Sequence, residues 1–176
     1  MAIRKVARLG TPVLRAVAQP VSPEEISQYQ IQALIDDLIE TMREYDGAGL
    51  AAPQIYDSLQ VVVFEVAENP RYPEAVAIPL TVLINPDVTP TTAQTEEDWE
   101  GCLSLPDLRG RVARPTAVLV KALDRDGQPL EFAAEGFHAR VIQHECDHLA
   151  GIVYPDRMHS MDSLTYVREF ERYHSD

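Results

Sequence analysis

His144 and His148 stand four residues apart, with Glu145 directly after the first histidine, in the stretch Gln143-His144-Glu145-Cys146-Asp147-His148. On an α-helix that spacing turns through about 400°, so both imidazoles leave one face a turn apart and can hold one metal ion between them. Glu145, rotated about 100° from His144, stands beside such an ion and can take a proton from water there. Phe137, Val141, Ile142, Leu149 and Ile152 surround the motif with apolar side chains, which predicts a buried helix whose charged groups need partners. A surface helix that merely carries two histidines is the bland alternative.

A tetrahedral catalytic centre takes three protein ligands and leaves one position open. The long metzincin pattern places a third histidine six residues beyond the second, but Tyr154 occupies that position, so the pattern fails. A thermolysin-like site needs a glutamate on a later helix, for which Glu169 and Glu171 are the weaker candidates. Cys146 lies about 200° around the helix from His144 and reads as a small core residue. Cys102 lies in Trp99-Glu100-Gly101-Cys102-Leu103-Ser104-Leu105-Pro106, where glycine lets the backbone turn sharply and present a thiolate. It is the favoured third ligand, with a buried bystander as the alternative.

Residues 47 to 54 read Gly-Ala-Gly-Leu-Ala-Ala-Pro-Gln, too apolar and too short of donors for a phosphate loop. Here glycine lets backbone approach a ligand, and Gln54 supplies a neutral amide donor. A simple helix-ending turn at Gly47 followed by packing alanines is equally open. His138, about 240° from His144, is read as a satisfied or exposed histidine, and His159 and His174 as surface residues. The run Glu96-Glu97-Asp98-Trp99-Glu100 reads as a solvated turn with one packed aromatic. Asp147 points away from the ligands, as a supporting partner or a cap.

Taken together, Gly47 to Gln54, Glu100 to Ser104 and Gln143 to Gly151 resemble the peptide deformylases, whose hallmarks are G-x-G-L-A-A-x-Q, E-G-C-L-S and Q-H-E-x-D-H-L-x-G in that order. The likeness extends to Gly10-Thr11-Pro12-Val13-Leu14-Arg15 and to Asn85-Pro86, and so covers nearly the whole chain. It implies a metal-dependent hydrolase that removes the formyl group from the N-terminal formyl-methionine of newly made polypeptides and releases formate. It implies Cys102, His144 and His148 as ligands of one divalent ion, with Fe²⁺ expected and Zn²⁺, Ni²⁺ or Co²⁺ as substitutes. Glu145 then carries the proton, while Gln54 and the backbone N–H of Leu103 face the oxyanion. The resemblance sets substrate backbone along Ala48, Gly49 and Gly101, and places Phe137, Arg140 and Val141 at the methionine pocket. Arg140 replaces an aliphatic residue common in bacterial members, though some members, the mitochondrial branch among them, share the arginine. Either its stem covers the pocket while its head reaches water, or it narrows the pocket outright.

The elements that must position these residues are legible in outline. Ser22-Pro23-Glu24-Glu25 predicts a helix start, and Ile31, Leu34, Ile35, Leu38, Ile39 and Met42 recur at helical spacing up to Gly47. Residues 61–66 and 80–84 read as strands, and 116–123 with 128–134 as a hairpin around Asp124-Arg125-Asp126-Gly127. Residues 67–79 read as an irregular insertion and 162–173 as a final amphipathic helix. The expected fold is α+β: antiparallel strands packed around a central metal-binding helix, with an N-terminal and a C-terminal helix, in one domain over 1–176.

Composition fits one soluble globular unit, at 176 residues with 45% hydrophobic and 24% charged. Two cysteines preclude a disulfide framework, and a thiolate ligand suits a reducing compartment. The start lacks a signal-like apolar core and no run approaches a membrane span, so a cytoplasmic location is expected, with an organelle also open. The partners expected are formyl-methionyl peptides or nascent chains, without a membrane. A net charge of -13 argues against direct nucleic-acid binding. In some relatives a basic C-terminal helix docks on ribosomal RNA, but residues 158–176 carry two arginines against four acids, which predicts weak or transient ribosome association at most.

Overall fold

The computed structural model describes residues 2–67 and 77–174. An extended N-terminal segment and a 3-10 turn at Pro12–Arg15 lead to the short helix α1 (Pro23–Ile26) and the long helix α2 (Tyr29–Glu44). Strand β1 (Gly49–Ala51), a 3-10 turn at Ala52–Ile55, β2 (Val61–Val66) and β3 (Ile78–Pro90) follow. Next come β4 (Thr95–Cys102), β5 (Leu105–Pro115), β6 (Ala117–Leu123) and β7 (Pro129–Glu135). Helix α3 (Gly136–Leu149) carries the histidines, and the short strand β8 (Thr165–Tyr166) leads into helix α4 (Val167–Tyr173).

Five antiparallel strands form one sheet in the order β1-β2-β3-β6-β7, and three form a second, β4-β5-β8. The Val-Val-Val-Phe start of β2 has no polar alternation because both faces of the larger sheet are covered. Val61 and Val63 pack with Ile35, Leu38 and Met42 of α2, whereas Val62 and Phe64 pack with Val141 and Ile142 of α3. Helix α3 thus lies between that sheet and the β4–β5 hairpin, whose Cys102, Leu105 and Val112 form a third apolar cluster with Tyr154. The mixed architecture around a central helix agrees with the sequence reading.

Several boundaries differ from the expectation. The helix predicted from Ser22 through Met42 breaks after Ile26, because Gln28 is extended and the Gln32 amide donates to the Ile26 carbonyl (2.9 Å) that a continuous helix would satisfy through its own backbone. It also ends at Glu44 rather than at Gly47: Asp46 takes the left-handed conformation (φ 51°) and the N–H of Gly47 reaches back to Met42 (2.9 Å). The strand expected at 80–84 runs on to Pro90 through an irregularity at Asn85, whose side chain clasps the backbone of Val21 at 2.9 and 2.8 Å. The final helix begins only at Val167, since Thr165 and Tyr166 pair with Arg109 and Leu108 of β5. Of the insertion expected over 67–79, residues 68–76 lie outside the described residues.

Candidate metal centre

Cys102 ends β4 and pairs with Leu105 across a two-residue reversal, so the Leu103-Ser104 turn holds its thiol at the tip of the hairpin. The N–H of Ser104 and the Gln54 amide both donate to Cys102 Sγ at 3.4 Å, and the same amide reaches Ser104 Oγ at 3.2 Å. Gln54 is itself locked, because its Oε1 accepts the Ala51 N–H at 2.8 Å. The N-terminal segment ties the two loops together through Ala7 N–H to the Gln54 carbonyl (2.7 Å) and Leu9 N–H to the Ser104 carbonyl (2.9 Å).

Cys102, His144 and His148 are all buried, and one donor atom from each lies within 4.8 Å of the others. Cys102 Sγ is 3.3 Å from His148 Nε2. His144 turns its Nδ1 to Glu100 Oε2 at 2.9 Å, which leaves Nε2 as its free donor, the arrangement of a carboxylate-oriented metal histidine. Burial disfavours the Cys102 thiolate, but His148 and His144 outweigh it and hold the thiol well below its ordinary range. Burial likewise disfavours the His144 cation, and Cys102 and Glu100 overcome it to raise that histidine well above the usual value. One sulfur, two imidazoles and an oriented carboxylate suit a first-row divalent ion. Neither Glu169 nor Glu171 belongs to this group.

Glu145 is buried one residue from His144, and burial pushes its carboxyl up to about 7 against the pull of His144 and His148. Its Oε2 has no hydrogen-bond partner among the described residues. Gly49 makes room for it: a Cβ on that strand residue would lie 2.5 Å from Glu145 Oε1. A glycine in a strand costs stability, and close approach of another group is a sufficient reason for it.

The solvated turn expected over 96–100 is instead strand, and Glu100 is buried at the heart of the site. It accepts from Arg114 Nε (2.6 Å) and Arg114 NH2 (2.9 Å), from Arg140 NH1 (2.8 Å) and from His144 Nδ1. Burial opposes its charge, yet Arg114 and His144 hold its carboxyl far below the usual range. Arg114 also reaches Asp147 (2.9 Å), which accepts from Arg157 at 2.6 and 3.2 Å. Asp147 is thus a supporting partner, as its helical phase suggested. Arg140 does not send its head to water: the guanidinium is buried on Glu100, on the Val112 carbonyl (2.9 Å) and on the Glu96 carbonyl (2.7 Å). His138 is neither satisfied nor exposed, since it lies half-buried between Phe64 and Phe132 with Nε2 unpartnered among the described residues. Cys146 packs with the apolar cluster beneath α3.

A cleft of about 490 Å³ opens over the cluster. Ala48 and Gly49 line one rim and Gly101 and Leu103 the other, with Phe137, Arg140 and Val141 at one end and Gln54, Cys102, His144 and Glu145 on the floor. His148 sits beneath that floor. Glu100, Arg114 and Arg157 escaped the sequence reading as a network, although Glu100 lies inside the E-G-C-L-S match.

Three buried donors under an open cleft with a buried carboxylate beside them fit a metallohydrolase. The chain belongs to the peptide deformylase family: the family model described as polypeptide deformylase matches residues 3–163. It is 49% identical over 165 residues to peptide deformylase 1 of Nitrosomonas europaea, covering 94% of this chain and 93% of that one. Peptide deformylase 1 of Prochlorococcus marinus is 49% identical over 172 residues, 97% of this chain and 88% of its own. Among solved structures, a class I type b peptide deformylase from Acinetobacter baumannii with Met-Ala-Ser bound superposes with a TM-score of 0.86 at 39% identity, covering 89% of this chain and 99% of that chain. A peptide deformylase from Thermotoga maritima gives 0.80 at 34% identity, with 91% and 100% covered. The chain is a hydrolase that removes the N-formyl group from nascent polypeptides.

Proposed function

We propose that Cys102, His144 and His148 hold one divalent ion, Fe²⁺ in the active enzyme with Zn²⁺, Ni²⁺ or Co²⁺ as substitutes, in a single catalytic domain. The observation that carries this reading is the buried three-donor cluster with Glu100 orienting one of its histidines. When bound, such an ion supplies a Lewis acid that makes hydroxide available from water near neutral pH. Glu145 takes the proton as water adds to the formyl carbon and returns it to the departing amine nitrogen. Its burial and its unpartnered Oε2 suit a carboxylate with that task. The Gln54 amide turns one hydrogen from Ser104 to the developing oxyanion, and the Leu103 backbone N–H provides a second donor.

The peptide lies extended between Ala48–Gly49 and Gly101, bound through backbone hydrogen bonds that ignore sequence. The methionine side chain enters between Phe137 and Val141, and Arg140, held by Glu100, narrows the far end of that pocket. Formate release from formyl-Met-Ala-Ser, with none from unformylated Met-Ala-Ser, tests the reading. Cleavage of a peptide bond in both peptides would replace it with a metallopeptidase. Metal analysis of anaerobically purified protein, set against activity after exchange, decides the ion. We place the enzyme in the cytoplasm, where a thiolate ligand stays reduced. It meets formylated chains diffusing or transiently exposed, because the acidic tail gives ribosomal phosphates little to hold. Tight co-sedimentation with ribosomes at moderate salt would overturn that last point.

A further inference from the structure

A second and larger depression, about 1580 Å³, lies beside the cleft and shares Cys102 and Leu103 with it. Both rims of the cleft continue into it. Tyr45, two residues before Gly47, lines it from one side. Arg109 lines it from the other, where its guanidinium lies across Gly101 so closely that a Cβ there would meet it at 2.6 Å. Lys5 and Arg8 of the N-terminal segment complete a wall of three cations, against the acids Asp107 and Glu171. That excess stands out in a chain with 28 acidic and 15 basic residues. Lys5 and Arg8 are exposed, and neither makes an ion pair among the described residues. Their position is imposed by the fold, because Ala7 and Leu9 are pinned to Gln54 and Ser104 on either side of Arg8.

We propose that this groove receives the part of the formylated chain that follows its first three residues, and that Lys5 and Arg8 make the enzyme favour acidic side chains there. The proposal rests on the deformylase reading of the cleft, since the groove matters only if a peptide leaves the cleft between its two rims. Acidic downstream residues otherwise face repulsion from the net negative surface, so a local cationic wall decides whether they are held or turned away. Exposed pairs of this kind are individually weak and screened by salt, so the effect is graded rather than absolute.

The test uses three peptides that begin formyl-Met-Ala-Ser and continue with three glutamates, three glutamines or three lysines. At low salt the acidic peptide should show a kcat/KM about fivefold above the lysine peptide, carried by KM, with most of the difference gone at about 0.5 M salt. The double variant Lys5→Glu with Arg8→Glu should reverse the order while leaving formyl-Met-Ala-Ser turnover and the melting temperature unchanged. Equal kcat/KM for the three peptides, or a preference that survives the charge reversal, overturns the groove proposal and leaves the cleft reading intact. No formate from any peptide would sink the cleft reading itself.

Discussion

Helices α3 and α4 both flank the β4–β5 hairpin, and both show apolar residues at helical spacing in the sequence, yet they are built on different physics. Nine of the fourteen residues of α3 are buried, among them Arg140, His144, Glu145, Asp147 and His148. None of the seven residues of α4 is buried, and its main purchase is Phe170 edge-on to Trp99 at 5.0 Å between ring centroids. Burying ionisable groups is costly unless they are paired: Arg114 on β5 meets Asp147 and Glu100 on β4 meets Arg140 and His144, while Glu145 keeps an unpartnered oxygen among the described residues. The contrast teaches that the helix carrying the cluster is held by buried charge pairs, whereas the C-terminal helix packs at the periphery.

The sharpest test of the α3 side is Glu145→Gln, which keeps the volume and removes the proposed proton carrier. Turnover of formyl-Met-Ala-Ser should fall by about a thousandfold while bound metal, measured by mass spectrometry, is retained. A variant that keeps a substantial part of the wild-type rate would remove Glu145 from its role. Arg114→Met strips the shared partner from two buried carboxylates and should cost about 3–5 kcal/mol in urea unfolding. It should also loosen the metal, because His144 then loses its oriented acceptor. A loss below about 1 kcal/mol, the worth of a surface pair, would mean that the network is no tighter than an exposed one.

Gly49→Ala probes position rather than charge. The added methyl displaces the Glu145 carboxylate, so turnover should drop by about a hundredfold with the melting temperature little changed. Unaltered turnover would show that Glu145 has room to spare. The smallest effect belongs to α4. Phe170→Ala should lower stability by about 1 kcal/mol and leave turnover of the tripeptide unchanged, and a collapse of activity would refute the claim that this helix is peripheral.

The sequence alone determined the geometry that is local to one helix. His144, Glu145 and His148 are related by spacing, and the helical repeat that sets their directions is a property of any backbone hydrogen-bonded in that way. The resemblance of three motifs added Cys102, Gln54 and Leu103, which the structure then brings to one cleft floor and rim. What spacing could not convey is which charges neutralise one another. Glu100 is 14 residues from Arg114, 40 from Arg140 and 44 from His144. As part of an acidic run it looked like solvated surface, and only the packing of α3 against the hairpin turns it into the acceptor that orients His144. The same holds for Arg140, whose head goes to Glu100 rather than to water, and for the break after Ile26, which depends on a side chain from the next helix. Periodicity is written in consecutive residues, whereas the pairing of buried charges depends on segments meeting in space, so tertiary structure alone decides it.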